Sequence, residues 1–292
     1  MAGDLYYPNV SLLLPGNGAD GGTTFTDFSP TPKTVTRYGG ITTETEQFLF
    51  GGSSILFDTS KYLGVPYGSD FALGTGDFAL EARLRHTTLS GYQTLYDQGY
   101  VASGALLVQS GNGNGKWIVY IGGVAVATES GGTVAANQWY DITITRVGTA
   151  VTIRRNGVTV ATGTSSASIT STANVFLGIG SGSNFLRAYS NDIRLTKGVA
   201  RRTADFTPSS LPFPTSAVAL SGYVEDATGA PAARVIRALR EDTGALVGSV
   251  TSNGTTGLYS ISTTYGGAHT LNAYPAAGEN LPALTLRGVI PV

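Results

Sequence analysis

The chain of 292 residues contains no cysteine. Disulfides and thiolate metal sites are therefore excluded, and the core alone must hold the fold. Charge is also scarce. Asp, Glu, Lys and Arg make up 13% of the sequence, against roughly 25% in an average globular protein. The formal net charge is −1, so no broad electrostatic attraction to nucleic acid or to an anionic membrane is expected. There are two histidines, His86 and His269, far apart in the chain. A Ser-His-Asp unit would need an accidental meeting, and a hydrogen-bonded or solvated role is expected for each. The apolar run Val10 to Leu14 is too short for a signal-peptide core or a membrane span, and no basic leader precedes it. The expectation is a protein made in a cytoplasm, with no signal peptide and no membrane insertion. A long apolar stripe at helical period is missing too, which argues against a helical core.

What the chain does have is glycine, 40 residues of it, with abundant Ser and Thr and short alternating runs. The stretch Trp139 to Thr162 reads as three strands in series. Ile142 and Ile144 alternate with Asp141, Thr143 and Thr145. Val151 and Ile153 alternate with Thr152 and Arg154, and Val158 and Val160 with Thr159 and Ala161. Each run has one apolar and one mostly polar face. Gly148-Thr149 joins the first pair. Asn156-Gly157 joins the second, a strong hairpin signal because both residues tolerate positive φ. A second sheet is the simplest cover for the apolar face. Val10 to Leu14 reads as a strand buried on both faces. In Gly74 to Arg85, Phe78, Leu80, Ala82 and Leu84 face in, while Ala79, Glu81 and Arg83 face out in a surface pattern. Lys116 to Ile121 and Val124 to Thr128 form a hairpin across Gly122-Gly123. Pro212 and Pro214 within Leu211 to Ser216 mark a stiff domain boundary.

The order of these motifs carries a resemblance. Phe50 to Asp58 (FGGSSILFD), Tyr62 to Pro66 (YLGVP), Gly76 to Glu81 (GDFALE), Trp139 to Arg146 (WYDITITR) and Asn156-Gly157 together resemble the concanavalin-A-like, laminin-G-type jelly roll. Val175 to Gly180 (VFLGIG), Ile193 to Arg201 (IRLTKGVAR), Phe206 to Pro208 and Pro212 to Pro214 resemble a narrower group, the laminin-G-like domains of bacteriophage virion proteins. The match covers residues 5–214. Beyond it, Val218 to Val224, Asp226 to Pro231, Asp242 to Gly244 and Gly257 to Ile261 bring turn signals at short intervals. Residues 217–292 resemble the carboxypeptidase-regulatory-like β-sandwich, a small Ig-like module, and Leu286 to Val292 is similar to the ends of some phage tail-associated proteins. The expected fold is all-β: a concanavalin-A-like jelly-roll sandwich over residues 1–214, then a small Ig-like or prealbumin-like β-sandwich over residues 215–292.

Three functions fit this resemblance. The first is a non-enzymatic, tail-associated structural protein on the surface of a phage particle, contributing to host attachment. The second is a carbohydrate-binding adhesin or receptor-binding protein of the same particle, or a capsid decoration protein. The third is a glycan-active enzyme. Glycosidases of this fold carry two carboxylates on one strand in the order Glu-x-Asp-x-x-Glu, and no such run exists here, so no catalytic residue is assigned. The expected partners are other virion proteins, copies of the same chain in a homo-oligomer, and a host-surface glycan. The expected localisation is the virion.

For glycan binding, an exposed aromatic must stack on a sugar beside amides or acids for its hydroxyls. Tyr92, Tyr100, Asn112, Asn114 and Trp117 supply these groups in and around the loop Gly111 to Gly115. The competing reading makes Trp117 and Tyr96 core and the Gly-Asn run a hairpin tip, since strand aromatics usually pack. No metal site is assigned. Calcium is possible in this fold, with Asp58, Asp70, Asp77, Asp97 and Asp192 as candidate ligands, but the acids are scattered and lack a DxDxD loop. Arg154-Arg155 and the group Arg194, Lys197, Arg201 and Arg202 suggest a local positive patch, read as solvated strand faces or partner contacts rather than a nucleic-acid surface.

Overall fold

The computed structural model describes residues 3–111, 113–180, 184–226, 228–275 and 283–292. It is built of β-strands, with two single-turn 3-10 segments at Tyr7–Asn9 and Ser69–Phe71. Two compact units form. The larger spans Asn9–Phe213, and the smaller takes Pro214–Val292 together with the described residues before Asn9. Those first residues join the smaller unit through backbone pairing: Asp4 N–H donates to Ser216 O, and Val218 N–H donates to Asp4 O.

The larger unit holds β1 (Val10–Leu14), β2 (Thr36–Tyr38), β3 (Thr42–Glu44), β4 (Ser54–Phe57), β5 (Tyr62–Val65), β6 (Phe78–His86), β7 (Gln93–Gln98) and β8 (Leu106–Ser110). It continues with β9 (Trp117–Ile121), β10 (Val124–Thr128), β11 (Trp139–Val147), β12 (Ala150–Arg155), β13 (Val158–Thr164), β14 (Val175–Leu177) and β15 (Ala188–Lys197). Eight strands make one antiparallel sheet in the order β13-β12-β11-β6-β15-β4-β3, with β1 also paired to β15. Seven make the other, β10-β9-β8-β7-β14-β5-β2. The apolar alternation points both inner faces at one core. Phe78, Leu80, Ala82 and Leu84 of β6 meet there with Ile142, Ile144, Val151 and Ile153, and with Val119, Ile121, Leu177 and Val65 from the other sheet. Fully burying one such side chain stabilises by roughly 1.5–3 kcal/mol.

The three strands anticipated within Trp139 to Thr162 form as β11, β12 and β13. Asn156 and Gly157 take φ of 51° and 77°, the pair of positive values that a tight two-residue hairpin needs. The third strand differs from expectation. β13 is the edge of its sheet, so Val158 stays 56% exposed and Val160 is only half-buried against the core.

The larger correction concerns the outer face of β6. Glu81 and Arg83 are buried, not solvated. Arg83 Nη1 donates to Asp192 Oδ2 at 2.8 Å, and its Nε lies 3.7 Å from Asp141 Oδ2. Arg194 donates to Glu81 Oε2 through Nε and Nη2 at 2.8 and 2.7 Å. Arg201 and Arg202 approach the same carboxylate at 3.8 and 3.9 Å. The segment that follows β15 covers this cluster. The Phe213 ring lies over the guanidinium carbons of Arg194 and Arg83 at 3.8 and 4.1 Å. Its backbone N–H donates to Asp192 Oδ2. Of the positive patch expected from Arg154-Arg155 and from Arg194, Lys197, Arg201 and Arg202, most is therefore internal, while Arg202 is partly exposed and Lys197 donates to Ser69 O at the surface. Arg154 donates to Thr203 O, and Arg155 pairs with buried Glu129.

Two buried groups titrate in opposite senses. Burial pushes the Asp192 carboxyl up to about 6, against the pull of Arg83, and its Oδ1 has no hydrogen-bond partner. Burial pushes His86 down to about 4, against its hydrogen bond with Gln93. The raised acid stabilises the fold fully below its unfolded pKa of 3.8, and that contribution is lost as pH rises to about 6. The depressed imidazole contributes fully above 6.5 and loses its contribution as pH falls to about 4. Stability from urea unfolding at several pH values between 4 and 6.5 should therefore climb more steeply with pH in Asp192→Asn than in wild type, and less steeply in His86→Gln. Parallel profiles for the three proteins would reject the assignment. A simpler measurement checks the sandwich itself. Ile144→Ala should cost about 2–5 kcal/mol by creating a core cavity, whereas Val158→Ala on the exposed edge should change stability by less than about 1 kcal/mol.

Candidate functional site

The outer face of the seven-stranded sheet carries a cluster of rings at its β2 end. In β5, Leu63 and Val65 enter the core, so Tyr62 and Gly64 point outward. Tyr38 stands directly opposite Tyr62 in the β2–β5 register. Their rings stack with centroids 4.6 Å apart and planes 7° from parallel. Phe176 of β14 is opposite Gly64 and meets both tyrosines edge-on, at 6.0 Å to Tyr62 and 6.5 Å to Tyr38. Gly64 makes room for them. A Cβ there would lie 2.9 Å from the Tyr38 ring and 3.2 Å from that of Phe176.

Beside the rings lies a cleft of about 300 Å³, lined by Tyr62, Phe176, Tyr100, Asp97, Asn174 and Ile179, with Gly99 and Gly180. Asp97 is opposite Phe176 in the β7–β14 register. Its Oδ1 accepts from Tyr100 N–H at 2.5 Å. That bond secures Tyr100 in the left-handed region, φ 58°, a conformation that costs an L-residue roughly 1–2 kcal/mol. Asn174 is exposed; its Oδ1 accepts from Tyr67 N–H, which fixes the amide while its NH₂ donors and the second lone pair of Oδ1 stay available to a ligand. Ring faces, a carboxylate and an amide on one shallow surface are the groups that a sugar's C–H face and hydroxyls require.

Of the described residues anticipated for glycan binding, Tyr100 alone lines this cleft, joined by Asp97, a candidate from sequence for calcium only. Tyr92 is exposed at the opposite end of β7, roughly 20 Å away by strand rise. Asn114 is exposed at the β8–β9 hairpin tip, near the Tyr92 end, where its Oδ1 accepts from Lys116 N–H. Asn112 lies outside the described residues. Trp117 is corrected from a stacking face to a core residue: it is 1% exposed, with its ring 5.7 Å from that of His86. It alternates inward with Val119 and Ile121, as a strand aromatic does when its sheet has a partner. Tyr38, Tyr62, Phe176 and Asn174 were not picked out as site residues. The available signal was Tyr62-x-Gly64, an outward aromatic followed by an outward glycine.

The five aspartates weighed for calcium have separate partners. Asp58 accepts from Thr59 N–H, Asp70 pairs with Lys33, Asp77 accepts from Gly148 N–H, Asp97 from Tyr100 N–H, and Asp192 is bound to Arg83. Among the described residues no group of three or more acids, histidines or cysteines is placed to hold a metal ion.

The sheet order and inward alternation of the larger unit place it among known folds. Residues 57–199 match the family model of the concanavalin A-like lectin/glucanases superfamily, Laminin_G_3. No curated protein matches the chain. Among solved structures, it is similar to the binding domain of Paraclostridial Mosquitocidal Protein 1, with a TM-score of 0.52 and 13% identity, over 86% of this chain and 65% of that one. The chain thus spans just under two thirds of that domain's length. It is also similar to domain 4 of AbnA, a GH43 extracellular arabinanase from Geobacillus stearothermophilus in complex with arabinotriose (TM-score 0.49, 14% identity, 67% of this chain and 95% of that one). A third likeness is to the receptor binding domain of botulinum neurotoxin type G (TM-score 0.48, 13% identity, 96% and 74%). The concanavalin A-like fold stands on the family match and the first of these structures, and at such identity the likeness speaks of fold alone.

Within this concanavalin A-like unit the ring cluster depends on Gly64. Gly64→Ala should displace the Tyr38–Phe176 contact and cost about 1–3 kcal/mol by overpacking. The near-ultraviolet circular dichroism of the tyrosines should change with it. An unchanged spectrum and melting temperature would show that the rings do not need the missing side chain.

Proposed function

We propose that the chain is a non-enzymatic, tail-associated structural protein on the surface of a phage particle, present in many copies, and that the Tyr62–Phe176 cleft binds an uncharged host-surface glycan. It is made in the host cytoplasm and incorporated into the virion. The observation that carries the glycan reading is the grouping of Tyr62, Phe176 and Tyr100 around Asp97 and Asn174. Among the described residues lining the cleft, none is cationic, which disfavours an acidic sugar. The phage assignment rests on the resemblance of the motifs through residues 5–214. The smaller unit, read as an Ig-like module, serves as a spacer or display domain. The non-enzymatic reading rests on the same lining. Glycoside hydrolysis uses a pair of carboxyl groups, and Asp97 is the one carboxylate among those described residues. A shallow site of this kind binds weakly alone and gains strength through many copies.

Calorimetric titration with oligosaccharides prepared from host-surface polysaccharide tests the site. Tyr62→Ala and Phe176→Ala should each weaken binding about tenfold, the equivalent of roughly 1.4 kcal/mol. Tyr92→Ala and Asn114→Ala should leave it unchanged. Wild-type affinity in a folded Tyr62→Ala protein would reject the cleft. Release of reducing ends from the polysaccharide would move the chain to the enzymes, and its absence from mass spectra of purified particles would reject the virion assignment.

A further inference from the structure

The smaller unit leaves part of its own core face uncovered. It contains β16 (Ala219–Tyr223), β17 (Val235–Arg240), β18 (Leu246–Thr251), β19 (Leu258–Ser262), β20 (His269–Tyr274) and β21 (Leu284–Val289). β16 and β19 form a ribbon, and the other four form a sheet in the order β18-β17-β20-β21. Across that sheet the register runs Val250, Ile236, Ala273, Leu284, and in the next row Gly248, Ala238, Leu271, Leu286. Directly opposed residues share a face. Leu284 and Leu286 therefore lie on the same side as Ile236, Ala238 and Leu271, which are buried in the core with Leu220 and Ile261 of the ribbon. At the β18 side the ribbon is in close contact, since a Cβ on Gly248 would sit 2.8 Å from Ile261 Cγ2. At the β21 side the described residues of the ribbon do not complete the cover. Leu284 and Leu286 are 66% and 53% exposed and line a cleft of about 350 Å³ with Tyr223, Val224 and Tyr259, and with the acids Glu225 and Asp226.

β21 is also an edge strand, paired with β20 on one side and with no described strand on the other. Exposed edges are normally blunted by charge, proline or brevity, because their free backbone groups recruit other strands. The six residues of β21 include no proline and one charge, Arg287; the register to β20 shifts at Arg287-Gly288, where Gly288 has φ 70°, and the run Leu284 to Leu286 before it is regular. We propose that β21 pairs antiparallel with β21 of a second copy across a twofold axis, joining two four-stranded sheets into one of eight strands and covering Leu284 and Leu286 of both copies. The strand's own charge pattern selects this occupant. With Leu286 on the axis, leucine faces leucine and Thr285 faces Arg287 of the partner subunit. The one cation meets a hydroxyl and never its own image. Such a self-complementary patch is what a twofold interface requires. The pairing gives the many-copy assembly a contact surface, but it stands on the smaller unit alone and holds whether or not the cleft binds a glycan.

Sedimentation of the full chain tests it. Wild type should be a dimer. Leu286→Lys and Leu286→Glu, each placing like charges on the axis, should be monomers with unchanged circular dichroism melts, and mixing the two variants should restore the dimer. The absence of native cysteine allows a second readout. Leu286→Cys should cross-link with itself on mild oxidation, whereas Leu246→Cys, at an exposed position on β18 at the opposite edge, should not. A monomeric wild type, an oligomer that survives Leu286→Lys, or equal cross-linking at both positions would overturn the proposal. Oligosaccharide affinity per site should be the same in Leu286→Lys as in wild type, which separates this test from that of the cleft.

Discussion

Three carboxylates and three guanidinium groups are packed against the outer face of the eight-stranded sheet: Glu81, Asp141 and Asp192 with Arg83, Arg194 and Arg201. The formal charges of these six groups cancel, and a fourth guanidinium, that of the partly exposed Arg202, lies 3.9 Å from Glu81. Ions out of water cost several kcal/mol each unless paired and hydrogen-bonded, so this cluster constrains everything near it. β15 changes register between Asn191 and Arg194, and Asp192 takes a φ of 52° beside Arg83. The segment after β15 must stay down to keep water out. It is tied along its length, by Arg154 to Thr203 O, by Asp205 to Thr159, by Phe206 N–H to Gly157 O, and by Phe213 to Asp192. Gly157 has a second reason to be glycine there, since a Cβ would fall 1.8 Å from Phe206 O. Removing one member of such a cluster leaves the others charged and unpaired, which is strongly destabilising.

The two sheets of the larger unit thus present different outer faces. One is closed by a strap of chain over charged residues. On the other, strands β2, β5 and β14 expose stacked and edge-on rings beside Asp97. A ring pair at 4.6 Å gains about 0.5–1.5 kcal/mol beyond its area, so the cluster holds its shape without a ligand. For the glycan proposed to bind there, such pre-arrangement would lower the ordering cost.

The smaller unit is governed by scarcity instead. Among the described residues its buried apolar core is Leu220, Ile236, Ala238, Ile261 and Leu271, little for a module of its length. Backbone closures supplement it: Asp4 pairs beside Ser216 to Val218, and Ala219 and Val292 exchange both backbone hydrogen bonds. The uncovered leucines of β21 belong to the same shortage, and a neighbouring copy would supply what the module cannot supply itself.

Local alternation was sufficient to read the strands. It placed Phe78, Leu80, Ile142, Ile144, Val151 and Ile153 on the inner face, because period two and the Asn156-Gly157 turn are properties of neighbouring residues. Those signals, with the order of motifs, determined an all-β sandwich of the concanavalin A-like kind. Alternation says which side a residue points to, not what lies on that side. Glu81 and Arg83 looked solvated because nothing local showed that residues 201–213 return over them. For Trp117 both a stacking and a core reading stood, and which side of β9 faces the other sheet decided for the core. The cleft brings together Tyr62, Asp97 and Phe176 from strands far apart in the chain, and the exposed Leu284 follows from how far a two-stranded ribbon reaches. Burial of a strand's outer face, and the meeting of distant side chains on it, are decided by long-range packing, and only the tertiary structure contains that packing.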